Sequence, residues 1–222
     1  MRWLLTAVCV FLALPVAGVL GSWLAFDAAA LAVLQHQAAT VLGGYAGQSL
    51  LLVLGVALGV MLLGVGTAAA VALFDFPGRR FFEWALLLPM AMPAYVLAYA
   101  YTDALQFSGA LQSGLRSLFG LRGALWPDVR SLGGAVLLFT LCLYPYVYLL
   151  TRAALGERAV QMMEAARLLG AGLKRRVFTV ALPLARPAVM AGVALALMET
   201  LADYGVGAYF GLTTFTTGIY RA

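Results

Sequence analysis

The stretch QSLLLVLGVALGVMLLGVGTAAAVALF, residues 48–74, decides the fold class of this chain. It carries no charged side chain and is longer than the ~20 apolar residues that take a helix across the hydrocarbon core of a bilayer. Because lipid offers no partners to backbone N–H and C=O groups, a crossing segment must satisfy them within a helix. The sequence therefore predicts a membrane-spanning helix here.

The rest of the chain is almost as apolar. Hydrophobic residues make up 64% and charged residues 10% of the 222 residues, whereas soluble domains contain roughly 45 to 50% apolar residues. Four further apolar stretches approach the length of a span, residues 3–26, 84–102, 132–151 and 187–204. We therefore expect an all-α, polytopic membrane bundle with about five transmembrane helices in the lipid bilayer.

The first apolar stretch, residues 3–26, exceeds the roughly 7 to 15 residues of the apolar region of a signal peptide, so we expect an uncleaved anchor. The predicted domains are an anchor helix with an external loop over residues 1–47, and a transmembrane domain over residues 48–222.

The basic residues predict the orientation, because cytoplasmic loops are enriched in Lys and Arg. With the N-terminus in the cytoplasm, 10 of the 14 basic residues lie on the cytoplasmic side. These ten are Arg2, Arg79, Arg80, Arg152, Arg158, Arg167, Lys174, Arg175, Arg176 and Arg186, and the other four are Arg116, Arg122, Arg130 and Arg221. No basic tract interleaved with aromatic residues indicates a nucleic-acid partner.

Within the spans, small residues and prolines predict close packing and broken helices. Glycines spaced four residues apart let helices approach closely, and a proline inside a span removes a backbone donor. The glycine pairs are Gly43/Gly47 and Gly55/Gly59, and the prolines are Pro89, Pro93 and Pro145. Ordinary packing in a bundle explains these residues, and broken helices also suit a transporter.

The external segment, residues 103–130, is too polar to cross the membrane. Its leucines recur near helical spacing, which predicts a short helix on the membrane surface; they are Leu111, Leu115, Leu118 and Leu121.

A polar insert separates the last two predicted spans. As a helix, residues 157–169 place apolar and polar side chains on opposite sides. Gly170 and Gly172 then allow the chain to reverse, and Pro183 and Pro187 mark the start of the next span. The predicted apolar side is Ala159, Met162, Met163, Ala166 and Leu169, and the polar side is Glu157, Gln161, Glu164 and Arg167.

The insert contains EAARLLGAGLKRRVFTVALPLARP, residues 164–187, with the spacing Glu-Ala-Ala, three residues, Gly, nine residues, Val-x-Leu-Pro. This resembles the cytoplasmic EAA loop of binding-protein-dependent ABC importer permeases of type I, with Val180 where that family usually has Ile. The resemblance implies a coupling loop over about residues 152–186. Its implied coupling residues are Glu164, Ala165, Ala166, Gly170, Val180, Leu182 and Pro183.

The same resemblance implies that the helix docks on a separate ATPase subunit, which binds ATP and Mg²⁺. The sequence agrees, because it contains no G-x-x-x-x-G-K-[ST] motif and its one lysine, Lys174, follows Leu173. We therefore expect a transporter subunit that is not an enzyme and binds no cofactor of its own.

Further stretches resemble the ferric-iron importer permeases: DFPGRRFFEW from Asp75, LLLPMAMPAYVLAYAYTD from Leu86, LYPYVYLLTRAAL from Leu143, METLADYGVGAYFG from Met198 and TTFTTGIYRA at the end. This resemblance implies a bacterial inner-membrane protein that takes Fe³⁺ from a periplasmic binding protein. Permeases for spermidine, putrescine and thiamine share the loop and fold, so they stay alternatives. Family members usually carry two such halves, and this chain stops at Ala222 before the sixth span of the first half. We expect a fragment, a truncated product or half of a split permease, which works with a second half.

Glu199 and Asp203, spaced i, i+4 near the outer end of the last span, are candidates for the substrate pathway because ionisable groups at membrane depth are costly. Their carboxylates and the phenols of Tyr95, Tyr99 and Tyr101 are hard oxygen ligands that suit Fe³⁺. Interfacial tyrosines and a helix-end acid paired with an arginine or a backbone group are the alternative interpretation, so a metal site stays unknown.

Two other classes of protein compete with the permease. A passive channel or secondary transporter also uses Gly- and Pro-rich spans with an intramembrane acidic pair. A membrane enzyme has little support, because one histidine and nine scattered acids form no nucleophile-base or metal constellation.

Overall fold

The computed structural model describes residues 2–22 and 27–221, and every regular element in that part of the chain is helical. The predicted all-α membrane bundle is confirmed. The helices are α1 (Arg2–Ser22), α2 (Ala28–Thr40), α3 (Leu42–Leu73), α4 (Arg79–Ala85), α5 (Ala94–Leu105), α6 (Ala110–Phe119), α7 (Leu132–Ala154), α8 (Val160–Leu168), α9 (Leu173–Arg176), α10 (Leu182–Ala202), α11 (Gly205–Tyr209) and α12 (Phe215–Ile219).

The chain forms two compact units, one up to Gly44 and one from Tyr45 onward. The first unit contains α1 and α2. The apolar part of helix α1 is Thr6–Ser22. Residues 23–26 of the predicted first span lie outside the described residues. Helix α2 occupies most of the predicted external loop. Its N-terminus is capped by Asp27, whose carboxylate accepts a hydrogen bond from the N–H of Ala30 at 2.8 Å.

In the second unit, α7 is the central helix. Val147 of α7 is fully buried. A Cβ added at Gly64 of α3 would lie 2.5 Å from the Cβ of Val147, and one added at Gly192 of α10 would lie 2.7 Å from its Cα. Such a close approach is possible only where a glycine has a hydrogen atom in place of a side chain. The two glycines therefore let α3 and α10 pack directly against α7.

The predicted glycine pairs behave differently from each other. A Cβ at Gly55 would meet Val136, and one at Gly59 would meet Thr140, so this pair packs α3 on α7 as predicted. Among the described residues, no atom outside the helix backbone lies within 4 Å of a Cβ placed at Gly43 or Gly47. The prediction of close packing at the first pair is therefore wrong.

Among residues 2–22 and 27–221, three helices are long and apolar enough to cross a membrane, and a bent pair can form a fourth span. The three are Leu42–Leu73, Leu132–Ala154 and Leu173–Ala202. The predicted single span over residues 84–102 is instead broken: α4 and a 3₁₀ turn, Leu88–Ala91, meet α5 at a bend of 97°. Pro93 explains the break, because it stands directly before α5 and has no N–H for a continuous helix.

The first half of this broken span is tied to α7. The carboxylate of Glu83 on α4 lies 3.1 Å from the guanidinium of Arg152, in the last turn of α7. Two tyrosines of α7 donate hydrogen bonds to the same segment, Tyr148 to the carbonyl of Glu83 at 3.3 Å and Tyr144 to that of Leu86 at 2.9 Å. The segment is thus held at three points.

The last span begins earlier than predicted, at Leu173 and not near Pro187. A π-helical turn, Val177–Ala181, joins α9 to α10, and the N–H of Leu182 donates to the carbonyl of Val177, five residues back. The helix can therefore continue through Pro183, because the wider turn redistributes the backbone bonds next to the missing donor.

The predicted external helix is α6; Leu111 and Leu118 face outward, whereas Leu115 is half-buried and Leu121 follows the helix end. Leu111 is 50% and Leu118 is 79% exposed, whereas Gln112 is 2% exposed. The Gln112 side chain donates to the carbonyl of Leu105 and accepts from the N–H of Leu125. The polar side of α6 therefore holds the external segment together, and its apolar side is free to face lipid.

Alanine substitution at two neighbouring glycines of α3 tests the central packing. We expect Gly64→Ala to destabilise the protein by about 1 to 3 kcal/mol, because the new Cβ overpacks against Val147. Gly66→Ala is the matched control, since no atom outside the helix backbone lies within 4 Å of its added Cβ. Thermal unfolding followed by circular dichroism in detergent should show a lower midpoint for Gly64→Ala alone. Equal midpoints would contradict the packing.

Candidate functional site

The polar insert folds into a small unit between two membrane helices. After α7, a π-helical turn, Leu155–Ala159, leads into α8; the chain then turns at residues 169–172 and returns through α9 and the second π-helical turn. The two π-helical turns pack against each other, and α8 packs on the second one. Leu155, Ala159 and Ala181 are fully buried there. The base of the unit is therefore part of the core.

The tip of the unit is exposed and partly apolar. On α8, Met163 is 8% exposed and Ala166 is half-buried, so these two residues face inward. Leu168 is 90% and Leu169 is 89% exposed. The predicted apolar side is only partly buried: Met162 is exposed, about 100° around the helix from Met163, and Leu169 follows the helix end.

The turn after α8 depends on Gly170. Its φ of +80° lies in the left-handed region, which favours glycine. The N–H of Ala171 donates to the carbonyl of Ala166, and that of Gly170 to the carbonyl of Arg167, both at 3.0 Å. These bonds satisfy carbonyls that the helix end leaves free. Gly172 has an ordinary φ of −65°, so Gly170 alone meets the backbone requirement in this turn.

The predicted coupling residues fall into two groups. Glu164, Ala165 and Gly170 are exposed at the tip, and Ala166 is half-buried beneath them. Val180, Leu182 and Pro183 are half-buried in the returning helix, at or next to the π-helical turn on which α8 packs. The first group offers a surface, and the second joins that surface to α10.

The second set of candidates lies near the other end of α10. Glu199 is exposed and lines a cavity of about 250 Å³ at the break between the 3₁₀ turn and α5. Asp203 is half-buried beyond the helix end, where its carboxylate accepts a hydrogen bond from the N–H of Val206 at 2.7 Å. The carboxylate of Asp203 thus caps α11, as the alternative interpretation of a helix-end acid expects.

The three tyrosines occupy different environments. A Cβ added at Gly205 would lie 3.2 Å from the Cβ of Tyr95, which places Tyr95 beside the start of α11. Tyr99 packs its ring against Tyr209 with the centroids 4.2 Å apart. Tyr101 packs against the hydrophobic core. Tyr95 and Tyr99 therefore lie beside α11, and Tyr101 turns inward.

Arg130, which lies beside Tyr209, is not among the candidate site residues that the sequence predicts. Arg130 donates a hydrogen bond to the hydroxyl of Tyr209 at 2.9 Å and lies 4.5 Å from the centre of its ring. Its position after a loop gave no periodic signal. Within residues 2–22 and 27–221, no group of three or more His, Cys, Asp or Glu residues could hold a metal ion.

Residues 61–221 match the protein family described as "Binding-protein-dependent transport system inner membrane component". The match includes α7, the whole polar insert and α10, and it begins within α3.

Individual relatives match over 59% to 69% of this chain. The Molybdenum transport system permease protein ModB of Escherichia coli (strain K12) is 33% identical over 130 residues, 59% of this chain and 55% of the relative. The Putative 2-aminoethylphosphonate transport system permease protein PhnU of Salmonella choleraesuis is 29% identical over 153 residues, which are 69% of this chain and 54% of the relative. The Probable sulfate transport system permease protein cysT of Chlorokybus atmophyticus is 32% identical over 146 residues, which are 64% of this chain and 48% of the relative. The chain spans about half the length of these relatives.

Alanine substitution at the two glycines of the turn tests its geometry. We expect Gly170→Ala to raise the free energy of the folded turn by about 1 to 2 kcal/mol, because an L-residue is strained in the left-handed conformation. Gly172→Ala should change little, since its φ is ordinary and no atom outside the glycine and its chain neighbours lies within 4 Å of its added Cβ. Hydrogen exchange of the amides from Leu169 to Ala171 should accelerate only in Gly170→Ala. Equal exchange in both variants would refute the assignment.

Proposed function

The chain belongs to the binding-protein-dependent transport system inner membrane component family, and we propose that it is the membrane-spanning subunit of an ATP-driven ABC importer. One observation carries the proposal: the loop with the Glu-Ala-Ala and glycine spacing forms a helix and a turn whose tip is exposed and whose base is packed in the core. The importer has at least three further parts, an ATPase subunit, a periplasmic substrate-binding protein and a second permease half or subunit.

The exposed tip of α8 is the docking surface for the ATPase. Leu168 and Leu169 expose nine-tenths of their area, and exposed apolar residues grouped in a polar loop are typical of an interaction site. Glu164 and Arg167 stand on the same short helix and supply charges for specificity. ATP and Mg²⁺ bind to the partner, whose closure pushes on this surface.

The base of the insert passes that displacement to the spans. The two π-helical turns join the insert directly to α7 and α10, and fully buried Leu155 and Ala181 lock them into the core. Because α10 lies against α7 at Gly192, the two helices move together with the insert. Close-packed elements transmit displacement where loose loops would absorb it.

The N-terminus and the polar insert lie in the cytoplasm. The excess of Lys and Arg around the insert supports this orientation, including Lys174, Arg175 and Arg176 on α9. The external segment with α6 then faces the periplasm, where the substrate-binding protein delivers the solute to this chain and its second half.

For the solute, the first candidate is a small oxyanion. The named relatives serve molybdenum, 2-aminoethylphosphonate and sulfate; phosphonate and sulfate are oxyanions, and molybdenum is an oxyanion in neutral aerobic water. Arg130 supplies a positive charge beside Tyr209 on the periplasmic side of this arrangement.

Ferric iron is the second candidate, favoured by a different observation. Asp203, Tyr95 and Tyr99 all lie beside α11, and carboxylate and phenol oxygens are hard ligands that suit Fe³⁺. Here the metal ion is cargo, and two or three weak contacts along the path serve transport better than a closed ligand set.

Serine substitution of an exposed leucine tests the docking surface. We expect Leu168→Ser to weaken the complex with the co-expressed ATPase subunit about tenfold, because an apolar contact is lost. Leu118→Ser is the matched control, since Leu118 is 79% exposed on α6 at the other side of the membrane. Affinity co-purification from membranes measures both. Equal retention of the ATPase by both variants would contradict the docking proposal.

Uptake competition tests the solute. In proteoliposomes with the complete transporter and its binding protein, labelled molybdate or sulfate should accumulate only with ATP inside, and unlabelled oxyanions should compete. Accumulation of labelled Fe³⁺ without competition by oxyanions would support the second candidate. Uptake in the absence of ATP and of the ATPase would contradict an ABC importer and would favour a channel or secondary transporter.

A further inference from the structure

We propose that the ion pair between Glu83 and Arg152 links the polar insert to the broken span, and that Glu83 is a positioning residue for transport. The proposal rests on the proposed function, because it assumes that an ATPase drives the insert. It names a route by which movement of the insert reaches the candidate pathway residues on α5.

The pair bridges two separate parts of the bundle. Glu83 lies on α4 and Arg152 in the last turn of α7, and one carboxylate oxygen lies 3.1 Å from the guanidinium. The side chains are 22% and 34% exposed, so the pair is largely shielded from water. The attraction between the two charges is less screened here than on an open surface, and loss of one partner leaves the other charge without compensation.

Each partner stands next to a break in regular helix. Arg152 comes three residues before Leu155, where the π-helical turn into the insert begins. Glu83 precedes the 3₁₀ turn and the 97° bend at Pro93, beyond which α5 carries Tyr95 and Tyr99. Movement of the C-terminal end of α7 therefore displaces α4 through the ion pair, and α4 leads directly to the bend.

A small movement of α4 acts on the cavity at the bend. A cavity of about 250 Å³ opens there, and its lining includes Met92, Pro93, Tyr146 of α7 and Glu199 of α10. A rotation of α4 changes the shape of this cavity, because the 3₁₀ turn that forms one wall is continuous with α4. The ion pair thus acts on the position of the wall and does not touch the solute.

The structure also provides a matched control. Glu83 has a second basic neighbour, Arg79, at 3.4 Å, but Arg79 is on α4 itself and its other partner is Asp75 at 2.5 Å. The Arg79 pair is therefore internal to one segment, whereas the Arg152 pair crosses to α7. Arg152→Gln and Arg79→Gln each remove one positive charge beside the same carboxylate, and only the first cuts the bridge.

The experiment uses the complex of the full chain with its ATPase in membranes and needs no solute. Met92, which is 47% exposed at the bend, is replaced by cysteine in a background with Cys9→Ser and Cys142→Ala. A water-soluble maleimide then measures the labelling rate without nucleotide and after trapping with Mg-ATP and vanadate. We expect trapping to change the rate about fivefold in the parent.

With Arg152→Gln or Glu83→Gln we expect this nucleotide dependence to disappear, while the ATPase still co-purifies and still hydrolyses ATP. Arg79→Gln should keep the response of the parent. If a single variant fails to fold, Glu83→Gln with Arg152→Gln removes both charges at once and should also lack the response.

The outcomes separate the two proposals. If the parent does not co-purify with an ATPase, the proposed function and this inference both fail. If it does, but Arg152→Gln responds as the parent does, or Arg79→Gln loses the response equally, the link through Glu83 is overturned while the proposed function stands.

Discussion

The close approach of α3 and α10 to α7 is the constraint on which the second unit of the structure depends. Val147 is fully buried between Gly64 on one side and Gly192 on the other, at separations that leave no room for a side chain. Lipid gives no hydrophobic drive for helices to associate, so packing of this closeness must supply the attraction. The position of α7 in turn sets where the polar insert leaves the bundle and where α4 is attached.

The candidate functional parts of the chain lie where regular helix is interrupted. The two π-helical turns bracket the insert, Gly170 reverses it, and Pro93 bends the span that carries Tyr95 and Tyr99. Interruptions of this kind cost backbone hydrogen bonds, and within a membrane they survive only where neighbouring helices or side chains compensate. Tyr144 and Tyr148, which donate to carbonyls of the broken span, are such compensation. The arrangement connects the exposed tip of α8 to the bend at Pro93 through packed helices and the Glu83–Arg152 ion pair.

The sequence predicts the elements better than their contacts. Composition and the charge-free stretch of residues 48–74 predict a helical membrane bundle, and the spacing around Glu164 and Gly170 predicts a helix and a turn, all of which the structure contains. Apolar length cannot distinguish one straight span from two helices bent at Pro93, since both are equally hydrophobic. Nor can it find the π-helical turns, which arise from packing and carry no sequence period. The bridge from Glu83 to Arg152 joins residues far apart in the chain, so only the folded arrangement reveals it.

Photo-crosslinking from the tip of α8 tests most directly whether the exposed loop is the contact with the motor. A benzophenone amino acid at Leu168, irradiated in membranes that contain the complete transporter, should attach covalently to the ATPase subunit, because this side chain is 90% exposed at the proposed docking surface. The same amino acid at Leu118, 79% exposed on α6, should not. Attachment of the ATPase from Leu118, or from neither position, would contradict the assignment of α8 as the coupling helix.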